Sequence, residues 1–184
     1  MVLLSIFGLL CFSLGYSLPN ILISEHRQPK VTANVFMLFE TVKGSWSGGG
    51  GNLITNIGER YVRNIIGFDN VSSNNATKWI SLSNVGSPQV TWTELDTEVN
   101  ANGFARALGT VTAWNNGTDY AYNVTKKFTA SGTQQLQCAG LQWNDTPESD
   151  NNLFAAYSGA LFPQTTFESN DNLTITWVIT WDAN

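Results

Sequence analysis

The sequence predicts a mainly β protein: an antiparallel β-sandwich, Ig-like or jelly-roll-like, with one short amphipathic helix and an apolar N-terminal segment. Three observations point there. First, Leu173, Ile175, Trp177, Ile179 and Trp181 alternate strictly with Thr174, Thr176, Val178 and Thr180, the period of a half-buried strand. Second, other short β-rich runs are separated by turn signals such as Asn116-Gly117 and Ser131-Gly132. Third, only 12% of the 184 residues are charged. Polarity must then come from Asn, Thr, Ser, Gln and Gly, which suit sheet surfaces and turns. Seven Trp, ten Phe and five Tyr supply the bulk for a core.

The elements follow in chain order. Residues 1–18 form the apolar segment. Val2 to Leu18 carry no charge, and Ser13, Gly15 and Ser17 offer small residues for a signal peptidase. The alternative is a retained membrane or filament-core segment, because Ile21-Leu22-Ile23 extends the run toward the roughly 20 residues that span a bilayer. Residues 19–30 are a polar linker, and residues 31–184 form a single sandwich domain. Val31 to Val42 is read as a strand, and Gly44 to Gly51 as a flexible connector. Ile54, Ile57, Tyr61, Val62, Ile65 and Ile66 recur at helical spacing. Thr55 or Asn56 caps the start of that helix and Gly67 closes it.

Strands resume at Trp79, Ile80 and Leu82. Thr91 to Val99 reads as a short helical turn capped by Thr93. Phe104 to Trp114 is one strand. Its hairpin partner is Tyr120 to Thr129, with Tyr120, Tyr122, Val124 and Phe128 on one face. In the next strand Leu136 and Cys138 share a face, while Leu141 and Trp143 are out of phase. A bulge at Ala139-Gly140 would restore the register. Leu153 to Phe162 and Leu173 to Trp181 complete the set.

Composition restricts the function. A net charge of −5 with scattered cations argues against a nucleic-acid partner. The single His is His26, in the linker, so Cys138 has no evident catalytic base and reads as a small buried apolar residue. Once Cys11 leaves with a cleaved signal, no intramolecular disulfide is possible. Glu94, Asp96 and Glu98 could suggest glycoside hydrolysis, but their spacing fits a solvated turn better. No catalytic residue and no cofactor is expected.

Other residues carry binding or modification signals. Asn70, Asn75, Asn116, Asn123, Asn144 and Asn172 each begin an Asn-x-Ser/Thr triplet without central Pro, the acceptor signal for N-glycosylation. A chain this rich in Asn, Ser and Thr produces several such triplets by chance, so position matters more than count. Asn123 and Asn172 fall on the polar faces of their strands, where a glycan must sit. Asp145, Glu148 and Asp150 lie in an oxygen-rich loop and are weak calcium candidates without EF-hand order. Trp46, Trp92 and Trp114 lie near predicted loops or strand ends, where exposed rings stack on sugars. In Val31 to Val42, the residues Val31, Val35, Met37 and Phe39 form an apolar side between the linker and the glycine run. This strand either completes its own sandwich or enters a neighbouring subunit.

A resemblance appears in the run Asn52-Leu53-Ile54-Thr55-Asn56-Ile57-Gly58, followed by a helix and Trp79-Ile80-Ser81-Leu82. It is similar to the opening of phage tail-fibre collar-type modules. Phe104 to Ala107, Asn123 to Ala130 and Asp171 to Trp177 resemble segments of exported archaeal surface or filament-type β-sandwich proteins. The likeness covers about Asn52 to Trp181, and its motifs are structural. It implies a surface or virion building block. The sequence expectation is therefore a structural subunit of an extracellular or cell-surface assembly, pilus-like or surface-layer in type. It would be a glycosylated homo-oligomer or polymer, with membrane contact through Val2–Leu18. The alternatives are a virion module and a carbohydrate-binding adhesive module.

Overall fold

A computed structural model describes residues 30–41, 44–51, 53–67, 76–115, 120–145, 152–157 and 164–182. The expected segment 1–18 and the expected linker 19–30 lie outside these residues, apart from Lys30, which opens the first strand. Among the described residues, no helix is long and apolar enough to cross a membrane.

The fold is mainly β and antiparallel, as the sequence predicts. One sheet contains β1 (Lys30–Thr41), β2 (Gly44–Gly51), β6 (Thr110–Asn115), β7 (Tyr120–Thr129) and β12 (Asn172–Asp182), in the order β2-β1-β12-β7-β6. The second contains β3 (Leu53–Ile54), β4 (Trp79–Ser83), β5 (Ala107–Leu108), β9 (Cys138–Gln142) and β10 (Leu153–Tyr157), in the order β3-β10-β9-β4-β5. A small third sheet pairs β8 (Gln134–Leu136) with β11 (Thr165–Phe167).

The first sheet follows directly from alternation. Leu173, Ile175, Trp177 and Ile179 of β12 are fully buried, while Thr174, Thr176, Val178 and Thr180 are only half-buried. On either side of Trp177 lie Val35 of β1 and Val124 of β7, and both are completely buried. These side chains meet Ile80, Leu82, Ala139, Leu141 and Ala155 of the second sheet in one apolar core. Lys126, half-buried and opposite Ile175, is the exception on the inner face of β7.

The central strands β9 and β10 of the second sheet are buried on both faces. The far side of this sheet packs Cys138, Leu153 and Ala156 against Ile57, Leu95 and Trp92. The covering layer comprises helix α1 (Asn56–Gly67) and the excursion between β4 and β5. Thr55 provides the N-cap: its Oγ1 accepts a hydrogen bond from Gly58 N at 3.0 Å and donates to Leu153 O. Gly58 permits this close seat, because a Cβ there would lie 2.3 Å from Phe154 O. The helix is where the apolar spacing placed it, except that Ile54, expected on its stripe, lies in β3 and pairs with Ala155.

Five expectations need correction. Gly44–Gly51 is not a connector but strand β2, paired with β1 from Asn34↔Gly51 to Thr41↔Gly44. Glycine has weak β propensity but a complete backbone donor and acceptor, and pairing to an apolar neighbour strand overrides propensity. Phe104 to Trp114 is not one strand. The chain leaves the second sheet at Leu108 and enters the first at Thr110. Gly109 is the crossing point, where a Cβ would lie 2.5 Å from Val124 Cγ1.

Thr91 to Val99 is not helical. Thr97 has φ 50°, Glu98 bridges to Ser83, and Val99 N donates to Leu82 O at 2.8 Å. Pairing with the end of β4 replaces the expected turn of helix. Finally, Ala139-Gly140 carries no bulge. Both residues pair regularly with β4 and β10, and the irregularity lies on β10 between Leu153 and Ala155. Leu136 and Cys138 also serve different apolar clusters, because the chain changes sheets between β8 and β9.

Candidate functional site

The chemistry-bearing residues fall into three places: a buried polar node, an outer polar face and an open sheet edge. The node lies where the covering layer meets the second sheet. Arg106 precedes β5, and its Nε donates to Glu98 Oε1 at 2.9 Å while Nη2 donates to Oε2. The two side chains are only 2% and 1% exposed. Nη1 also donates to Asn144 O at 3.0 Å and Asn152 Oδ1 at 3.5 Å. A bidentate guanidinium thus ties the excursion, the start of β5 and both ends of the 144–152 segment together. The sequence reading missed this pair. Its available signal was a lone Arg set among Phe104, Ala105 and Ala107, with a carboxylate eight residues upstream.

The three carboxylates are therefore not one catalytic group. Glu98 is committed to Arg106, while Glu94 and Asp96 are exposed. Cys138 is fully buried, and that burial pushes its thiol up to about 12 from an ordinary 9.0. Such a thiol is a poor nucleophile. His26 lies outside the described residues. Tyr61 stacks on Trp143 with centroids 4.3 Å apart, and burial pushes its hydroxyl up to about 12. Trp92 is half-buried against the far-side cluster. The rings of Trp46 and Trp114 fall outside the described side chains.

Of the calcium candidates, Asp145 is exposed, and Glu148 and Asp150 lie outside the described residues. Among the described residues no group of three or more His, Cys, Asp or Glu could hold a metal ion. Asn70, Asn75 and Asn116 also lie outside them. Asn144 is half-buried, and its Oδ1 accepts from Asp145 N at 2.7 Å. Asn123 and Asn172 sit on the outer face of the first sheet, opposite Val178 and Glu40 respectively. Thr129 Oγ1 donates to Asn172 Oδ1 at 2.7 Å.

No family model, no curated protein and no solved structure matches this chain. Function must be argued from the geometry.

The proposed assembly strand β1 is an interior strand of its own sandwich in the single chain. It is paired with β12 from Lys30 to Glu40 on one side and with β2 from Asn34 to Thr41 on the other. Val35 and Met37 are buried there, and Val31 and Phe39 lie opposite Trp181 and Leu173. The first sheet ends in β2 on one side and in β6 on the other, and among the described residues β6 is the edge with a run of exposed side chains. Thr110, Val111, Thr112 and Ala113 are all exposed. Val111 is in register with the fully buried Val124, so it belongs to the core side of the sheet, yet it is 49% exposed. The second sheet explains this. Its last strand, β5, has only two residues, and of these only Ala107, opposite Ile80, faces the first sheet. Among the described residues the sandwich is therefore open at this edge.

Proposed function

We propose that this protein is a structural subunit of an extracellular or cell-surface assembly, built from glycosylated β-sandwich domains that associate through a sheet edge. The observation that carries the reading is the state of β6. Natural edge strands are blunted by charges, prolines, bulges or a covering segment. The strand Thr-Val-Thr-Ala-Trp-Asn has no charge and no proline, and its first four residues are exposed. Its core-side Val111 is 49% exposed among the described residues. An extended strand from a second copy would pair with the outward backbone groups of β6 and place a side chain over Val111. If such a contact is heterologous and its rotation does not close, it propagates as a filament.

The decisive experiment compares full-length protein with Val111→Lys by sedimentation and electron microscopy. The wild type should form species that grow with concentration. The variant should be monomeric with an unchanged melting temperature, because the substituted position is half-exposed. A wild type that stays monomeric at every concentration, or a variant that assembles equally well, rejects the edge as the assembly surface.

A further inference from the structure

The outer face of the first sheet holds two more exposed apolar residues. Phe36 is 56% exposed and Leu38 is 40% exposed. Register places every residue around them. Phe36 has Gly49 on one side and Thr176 on the other, and Thr176 is followed across the sheet by Thr125. Leu38 has Ser47 on one side and Thr174 on the other, followed by Lys127. The row beyond Phe36 runs Asn34, Val178, Asn123. The row beyond Leu38 runs Glu40, Asn172, Thr129. The two apolar side chains are thus framed by two glycosylation triplets, Asn123-Val124-Thr125 and Asn172-Leu173-Thr174, whose Asn and Thr residues all lie on this face.

The geometry points to a role for Phe36 and Leu38 as the platform on which the protein's own N-linked glycans lie. This rests on the reading of the chain as a glycoprotein. The distances are suitable. Asn172 is one strand and one row from Leu38, about 7–8 Å. Asn123 is two strands and one row from Phe36, about 12 Å at the usual strand and residue spacings. Both lie within reach of the first sugars. Pyranose rings carry a C–H face that packs on an aromatic ring or a branched aliphatic side chain, and hydroxyls at their rim. Thr176, Thr174 and Thr125 supply hydroxyls between the apolar pair and the two asparagines. Gly49, having no side chain, leaves that flank of Phe36 open.

The modification itself balances simply. Nδ2 forms a bond to the anomeric carbon of a lipid-linked sugar diphosphate, the carbon–phosphate oxygen bond breaks, and one amide proton leaves with the phosphate. The hydrogen bond from Thr129 uses Asn172 Oδ1, not the nitrogen that would carry the sugar.

A second copy is the competing occupant of this patch. The framing triplets argue for the glycan, because sugars on both flanks would keep another subunit away and leave assembly to the edge.

The test uses full-length protein secreted from a glycosylating host. Peptide mass analysis first measures occupancy at Asn123 and Asn172. Hydroxyl-radical oxidation of Phe36 and Leu38 is then compared between the wild type and Asn123→Gln/Asn172→Gln. Glycans lying on the patch protect both residues several-fold, and the protection disappears in the double variant. Glycan loss should also lower the melting temperature by about 2–4 °C, and this loss should vanish in a Phe36→Ala/Leu38→Ala background. Unoccupied asparagines would overturn the proposal together with the glycoprotein reading. Occupied asparagines with equal oxidation in both proteins would overturn the platform alone. Protection that persists in the double variant alongside a larger species in solution would assign the patch to a second copy and also overturn it.

Discussion

Truncating Trp177 to alanine removes the largest completely buried side chain among the described residues. The magnitude can be built from its surroundings. A tryptophan buries up to about 250 Å², and at ~25 cal/mol per Å² this is worth roughly 6 kcal/mol. One term opposes it. Trp177 Nε1 is buried and finds no hydrogen-bond partner among the described residues, and such an orphaned donor costs about 1–3 kcal/mol. The net loss for Trp177→Ala is therefore about 3–5 kcal/mol, the usual range for a core aromatic. The same reasoning separates a second variant. Trp177→Phe retains one ring and removes the orphaned N–H, so it should cost only about 1–2 kcal/mol. Equilibrium denaturation of full-length protein in guanidinium, followed by circular dichroism, measures both. If Trp177→Phe costs as much as Trp177→Ala, the indole nitrogen is satisfied and its burial does not carry the penalty assigned to it. If Trp177→Ala stays within about 1 kcal/mol of wild type, β12 does not carry the core.

Two further outcomes follow from buried polar groups. Glu98→Ala leaves Arg106 buried without its carboxylate and should cost about 3–5 kcal/mol. Replacing both partners with Leu and Met should recover most of that loss, and additive losses in a double-mutant cycle would show the pair to be uncoupled. For Cys138, the folded thiol is raised from 9.0 to about 12, so the native state retains a proton that the unfolded chain releases. Its contribution to stability is fully present below pH 9 and is lost as pH rises from about 9 to about 12. Denaturation midpoints between pH 7 and 10.5 should fall more steeply for the wild type than for Cys138→Ala, and parallel curves would refute the shift.

Local pattern carried much of this fold. Alternation in Leu173 to Trp181 is sufficient to define β12 and its buried face, since a period-2 sequence has only one side that can avoid water. The apolar stripe of Ile57, Tyr61 and Val62 likewise defined a helix, and Thr55 its cap. The polar-face positions of Asn123 and Asn172 follow from the same alternation. Less was legible where a segment lacked a period. The tetraglycine of β2 has no side chains to pattern, and only the neighbouring β1 makes it a strand. The buried charge pair of Glu98 and Arg106 depends on a non-helical turn at Thr97, which nothing in Thr91 to Val99 announces.

By itself, then, the sequence determined an antiparallel β class, its one helix and the buried side of its strongest strands, because these depend on residues close in the chain. Tertiary structure alone decided which strands are neighbours. It placed β1 beside β12, more than a hundred residues away. It split Phe104 to Trp114 between two sheets at Gly109. It also gave the second sheet a last strand too short to cover Val111. Each of these outcomes is fixed by where the chain's other elements leave apolar surface exposed to water, and no local window contains that information.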